Sequence, residues 1–101
     1  MPFDAALEAL ESPGLQVFPN PFREQATVRF FLPEPGKAAL EVFNLQGQRL
    51  RQLASGTFDA GNHEALWYGD AEGGKVLESG VYLLRLVTEE GILVKRVSFV
   101  R

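Results

Sequence analysis

From Leu15 onward, apolar residues recur at every second position in short runs separated by glycine, proline and acid. Over Gln25 to Pro33, Val28, Phe30 and Leu32 fall on one face and Thr27 and Arg29 on the other, which is the period of a half-buried strand. Pro33 stops it, and Pro35-Gly36 turns the chain. Next, Leu40 and Val42 share one side while Phe43 and Leu45 share the other, predicting a strand covered on both faces near its end. Asn44 to Gly47 predicts a tight turn with Gly47 at positive φ. Arg49 to Leu53 predicts a short strand, followed by a loop through Gly56 and Gly61. The run from His63 to Gly69 places Ala65 and Trp67 on one face and Leu66 on the other. Gly69 to Gly80, rich in glycine and acid, predicts a long turn or bulged connection. A closing hairpin follows: Tyr82, Leu84 and Leu86 alternate with Val81, Leu83 and Arg85, Glu89-Glu90-Gly91 turns, and Leu93, Val97 and Phe99 return.

Strands at roughly 8–12-residue spacing predict an all-β fold, an immunoglobulin-like antiparallel sandwich of about seven strands. Its expected core includes Phe30, Val42, Trp67, Tyr82 and Leu84. Pro19-Asn20-Pro21 interrupts the pattern. Each proline fixes its own φ and lacks an amide donor, and Pro21 drives Asn20 towards extended backbone, so this stretch can begin a sheet but cannot lie inside one. Before it, Ala6, Leu7 and Leu10 give a one-sided spacing over Asp4 to Glu11, too short for a stable helix alone, and Ser12-Pro13-Gly14 ends it. Residues 1–14 are expected to be a linker or leader, and 15–101 the folded domain. The acidic amino end lacks the basic region of a signal peptide, so an exported protein would carry its signal further upstream.

Composition narrows the chemistry. With 101 residues, 46% apolar and 23% charged, one core is expected, burying about two thirds of the unfolded surface. A net charge of -3 with no basic stripe gives no reason to expect nucleic acid. The absence of cysteine excludes disulfides and thiol chemistry. No apolar run approaches the ~20 residues of a transmembrane segment.

No residue set predicts an enzyme. His63 is the one histidine, beside no nucleophile elbow, and reads as a surface residue. Asp70 and Glu72 share a glycine-rich loop of calcium-like composition, but calcium would need most of its oxygens from backbone and water, so a solvated turn is expected. Trp67 and Tyr68 point to opposite faces and cannot form one sugar platform; Trp67 reads as the core tryptophan, its indole N–H on a backbone partner. Arg49, Arg51, Lys95 and Arg96 read as solvent-facing charges that oppose edge aggregation. Catalytic residues, cofactor and metal are expected to be none.

The order of the motifs goes further. "VFPNPF", "ATVRFFLPEPGKAALEVFNLQGQRLRQL", "DAGNHEALWYG", "ESGVYLLRL" and a terminal "KRVSFVR" together resemble the type A C-terminal sorting domain of cargo exported by the Bacteroidetes-type type IX (Por) secretion system. The resemblance covers Leu15 to Arg101. It assigns family-motif positions to Pro19, Asn20, Pro21, Asn44, Gly47, Trp67, Gly69, Gly80 and Tyr82. Secretion-signal recognition falls to Lys95, Arg96, Val97, Ser98, Phe99, Val100 and Arg101. Tyr68 stands where the family commonly has an acid. The resemblance implies a non-catalytic label on an upstream cargo, recognised by an outer-membrane translocon and cut off by a sortase-like peptidase. The cargo would pass through the periplasm to the cell surface or beyond. Related immunoglobulin-like domains, including the flagellar hook-capping type, share part of the pattern, so a structural module for assembly or adhesin spacing is the alternative. A carbohydrate-binding module using Trp67 or Tyr82 is a third.

Overall fold

The computed structural model describes residues 14–101; the short one-sided segment expected before Ser12 lies outside the described residues. Seven strands form two antiparallel sheets: β1 (Leu15–Phe18), β2 (Ala26–Leu32), β3 (Gly36–Phe43), β4 (Arg49–Phe58), β5 (Gly61–Trp67), β6 (Gly80–Thr88) and β7 (Gly91–Phe99). One sheet has the order β1-β2-β5 and the other β4-β3-β6-β7. Period-two alternation gives each sheet one apolar face, and the two faces meet in a single core of a β-sandwich.

That core follows the predicted phases. Val28, Phe30 and Leu32 of β2, Leu40 and Val42 of β3, Leu84 and Leu86 of β6, and Val97 and Phe99 of β7 are all buried. So are Trp67 and Tyr82. The Asn44 turn forms as its sequence requires. Asn44 Oδ1 accepts the backbone N–H groups of Gln46 and Gln48 at 3.0 and 2.9 Å, and Gly47 sits at φ 88, where a side chain would be strained.

Four expectations are corrected. β4 runs on to Phe58 instead of ending near Leu53; register shifts at Leu40/Glu41 and Val42/Phe43 break its alternation with β3, and a bulged strand loses the period by which it is recognised. Gly61 opens β5 rather than lying in a loop. Leu45 belongs to the turn and is exposed, so the second face of β3 is covered by arginines instead: Arg85, whose guanidinium carbon lies 4.4 Å from the Phe43 ring centroid, and Arg49, which reaches Glu41. Finally, Pro19-Asn20-Pro21 does not precede the sandwich. It connects β1 to β2, and both of its X-Pro bonds are cis.

Candidate functional site

The terminal strand is where the motifs meet. β7 is an edge strand, paired with β6 from Thr88↔Gly91 to Gly80↔Phe99 without a slip. Beyond Lys95 its outer side is occupied by the β1–β2 connection. Asn20 Nδ2 donates to the Arg96 carbonyl at 3.1 Å, and Ser98 N donates to Asn20 Oδ1 at 2.9 Å. One carboxamide therefore serves β7 as a neighbouring strand's peptide unit would. Phe22 continues the pairing: its N–H donates to the Ser98 carbonyl at 3.0 Å, and its carbonyl accepts from Val100 N at 2.9 Å. Arg101 N donates to Ser79 Oγ at 2.8 Å.

Inside the sandwich, Phe22 and Phe99 stack at 4.9 Å between ring centroids, Trp67 tilts against Phe22 at 5.2 Å, and Tyr82 meets Trp67 edge-on at 5.7 Å. The polar tips of these rings are satisfied. Trp67 Nε1 donates to the Asp70 carbonyl at 2.9 Å, and the Tyr82 hydroxyl donates to the Glu78 carbonyl at 2.6 Å. Burial, with Glu78 nearby, pushes the Tyr82 hydroxyl above its ordinary pKa. Gly69 lies at φ +72, and a Cβ there would stand 2.5 Å from Phe99 Cζ. Only glycine combines that backbone with that proximity. Gly80 pairs directly with Phe99.

Asn20, Trp67, Gly69, Gly80 and Tyr82 thus gather along β7 from Arg96 to Phe99, although they are spread over most of the chain. The Asn44–Gly47 turn is built from its own bonds at the end of β3. Within the predicted recognition strand, Val97 and Phe99 are buried, Lys95 and Ser98 half-buried, and Arg96, Val100 and Arg101 exposed. Two residues of this arrangement carry weight that the sequence reading did not give them. Phe22, the aromatic after Pro21, both pairs with β7 and fills the core. Glu41, one acid inside the apolar run of β3, is buried on the outer face of its sheet, held by Arg85 at 2.9 Å and Arg49 at 3.0 Å. Burial alone would raise its carboxyl; the hydrogen bonds and positive charges of Arg85 and Arg49 together outweigh that and hold it below its ordinary pKa.

The remaining candidates are placed by their partners. Arg49 and Arg51 are not free surface charges: Arg49 binds Glu41, and Arg51 reaches Asp70 at 3.0 Å. Asp70 therefore faces an arginine, and Glu72 accepts from Gln52 N at 2.9 Å. Among the described residues no group of three or more acidic, histidine or cysteine side chains could hold a metal ion. His63 is not a plain surface residue, because its ring stacks on Phe30 at 5.3 Å and its Nε2 lies 2.7 Å from the Asp59 carbonyl. Tyr68 is exposed while Trp67 and Tyr82 are buried, so these aromatics offer no shared sugar platform.

Fold and site define a small immunoglobulin-like sandwich whose distant motif residues converge on its last strand. The family "Secretion system C-terminal sorting domain", of the Por type, matches residues 16–99, and the chain belongs to that family. Two solved structures from Porphyromonas gingivalis share the fold. Dimeric latent PorU matches with TM-score 0.69 and 23% identity, over 85% of this chain and 9% of that one. PorZ, described as an essential surface component of the type-IX secretion system, matches with TM-score 0.65 and 21% identity, over 92% of this chain and 12% of that one. This chain therefore corresponds to about a tenth of either protein's length. No curated protein matches it. Among the described residues no helix is long and apolar enough to cross a membrane.

Proposed function

We propose that this domain is a non-catalytic label at the carboxyl side of a cargo protein, recognised at the outer membrane by the type IX translocon. The convergence of the motif residues on β7 carries this reading, because it ties the strand the machinery would recognise to the integrity of the whole sandwich. Recognition falls to Lys95 and Arg96, midway along β7, and to Val97 to Arg101 after them. A sortase-like peptidase then releases the label before Leu15. Proteases need an extended, unpaired substrate, and Leu15 and Gln16 are already paired with Phe30 and Arg29. The cargo travels through the periplasm to the cell surface or the medium.

The test is a reporter carrying this chain at its carboxyl end in a bacterium with the type IX system. Deleting Val97 to Arg101 is a poor probe, since it also removes two core residues, one of the two partners of Asn20 and both partners of Phe22. Changing Lys95 and Arg96 to alanine is cleaner. Arg96 is exposed and Lys95 half-buried, and neither forms an ion pair among the described residues; such surface charges contribute under about 1 kcal/mol to folding, so thermal melts should hold while surface display falls. Display of the intact fusion at the level of an untagged reporter would sink the reading and return the domain to a structural module.

A further inference from the structure

Among the described residues the edge of β7 is protected along only half of its length. Asn20 and Phe22 engage Arg96, Ser98 and Val100 from the outer side, which fixes the phase: even-numbered residues of β7 direct their backbone groups away from β6. With no slip in the β6–β7 register, the N–H and C=O of Ile92 and Val94 and the N–H of Arg96 also face outward, beyond the reach of Asn20. Natural sheets defend such edges with proline, lysine, bulges or a covering segment. β1 is only 4 residues long. β4 is bulged, and one of its amides, Gln52 N, is taken by Glu72. Among the described residues the stretch from Ile92 to Val94 has none of these defences, and its side chains are apolar, with Ile92 59% and Val94 43% exposed.

Charge is laid out along the same edge. The hairpin turn at one end is Glu89-Glu90, and the other end is Lys95-Arg96, none of which forms an ion pair among the described residues. Arg85, paired with Glu41, lies across from Val94 on β6. We propose that Ile92 to Arg96 takes up an extended segment of a partner protein by antiparallel strand addition. That segment is apolar at its middle, beside Ile92 and Val94, and acidic at its amino end, beside Lys95 and Arg96. Asn20 is the stop that sets where it ends. The inference deepens the sorting reading and rests on it for where the partner is found, in the export machinery.

Val94→Pro tests it. Proline removes an outward N–H that the β6–β7 ladder does not use, a position edge strands tolerate; Val94→Glu leaves the backbone alone and sets acid against acid. The probes are capped peptides of alternating valine and threonine with two glutamates at the amino end, or two lysines in their place, titrated into the full chain. The glutamate peptide should bind, and the lysine peptide and both variants should each weaken binding about tenfold or more, with thermal melts of Val94→Glu unchanged. Val94→Glu binding the glutamate peptide as well as the unaltered chain overturns the proposal. So does a dimer of the free chain that Val94→Glu dissolves, which would give the edge to a second copy. The reporter assay separates the two readings. Peptide binding without display removes the sorting function and keeps the edge, whereas display that survives Val94→Pro and Val94→Glu keeps sorting and removes the edge.

Discussion

The two ends of the sandwich each hold an aromatic cluster, and the clusters differ in what ties them down. Around Phe99, the Phe22, Trp67 and Tyr82 rings are all buried, and the segments that carry them are joined by hydrogen bonds spanning 76 and 78 residues. Around Phe30, the rings of Phe58 and His63 pack at 5.4 and 5.3 Å, yet both are only half-buried, and the bond that orients His63 goes to Asp59, four residues away. The first end is closed by hydrogen bonds between segments near the two ends of the domain, and the second by half-buried ring contacts between β2 and the residues flanking the β4–β5 turn, with one local hydrogen bond. The residues that the sequence resemblance assigned to the family motif lie mainly at the closed end, and we propose that they serve chiefly this closure.

Substitutions should rank the ends accordingly. Trp67→Ala should cost about 3–5 kcal/mol, as deletion of a large buried aromatic does, read as a fall in urea midpoint; a harmless result would dissolve the contrast. Gly69→Ala should cost about 2–4 kcal/mol, combining the left-handed backbone penalty with overpacking against Phe99, and trimming Phe99 to leucine in the same chain should recover part of it. At the other end, Phe58→Ala should cost only about 1–2 kcal/mol, because the ring is partly in water already. Equal losses at Phe58 and Trp67 would show that the core does not distinguish its ends.

The smallest effect sharpens the comparison by pH. Tyr82 is raised above its ordinary value by burial, so the stability linked to it is fully present below the unfolded tyrosine value of about 10 and is lost as pH rises through the folded value. Tyr82→Phe removes one hydrogen bond and should cost about 1 kcal/mol at neutral pH. Its deficit against the unaltered chain should shrink in alkaline melts above that range. A constant gap would mean that Tyr82 reaches water freely in the folded state.

Much of this closed end was legible in sequence. Trp67, Tyr82, Val97 and Phe99 lie on the inner phase of regular alternations, and the core position of Trp67 with a backbone partner follows from its place in β5. The Asn44 turn was legible for the same reason, since all its bonds are local. Three features were not. β4 hides its length because two register shifts interrupt its period. Arg51 and Asp70 pair across 19 residues, and no periodicity reports such a contact. Asn20 looks in sequence like a stiff entrance to a strand, and its side chain's role as a strand surrogate depends on a partner 76 residues away. Glu41 was missed although it left a trace, a single carboxylate inside an apolar run, which signals cationic partners when it is buried.

The Asn20 contact also has a consequence for the order of events during folding. A chain lengthening from its amino end has the residues of β1 and β2 early, but the groups on Asn20 and Phe22 find their partners only when Arg96, Ser98 and Val100 have been added. Closing so long a loop carries an entropy cost that grows only as the logarithm of its length, yet it comes before the long-range contacts that offset it, and topologies of this kind fold slowly. A polypeptide interrupted before Arg96 retains an unclosed aromatic end and an unpaired Asn20. Closure of the sandwich in that sense reports that the chain has been made as far as Val100, a state available to whatever inspects the folded surface.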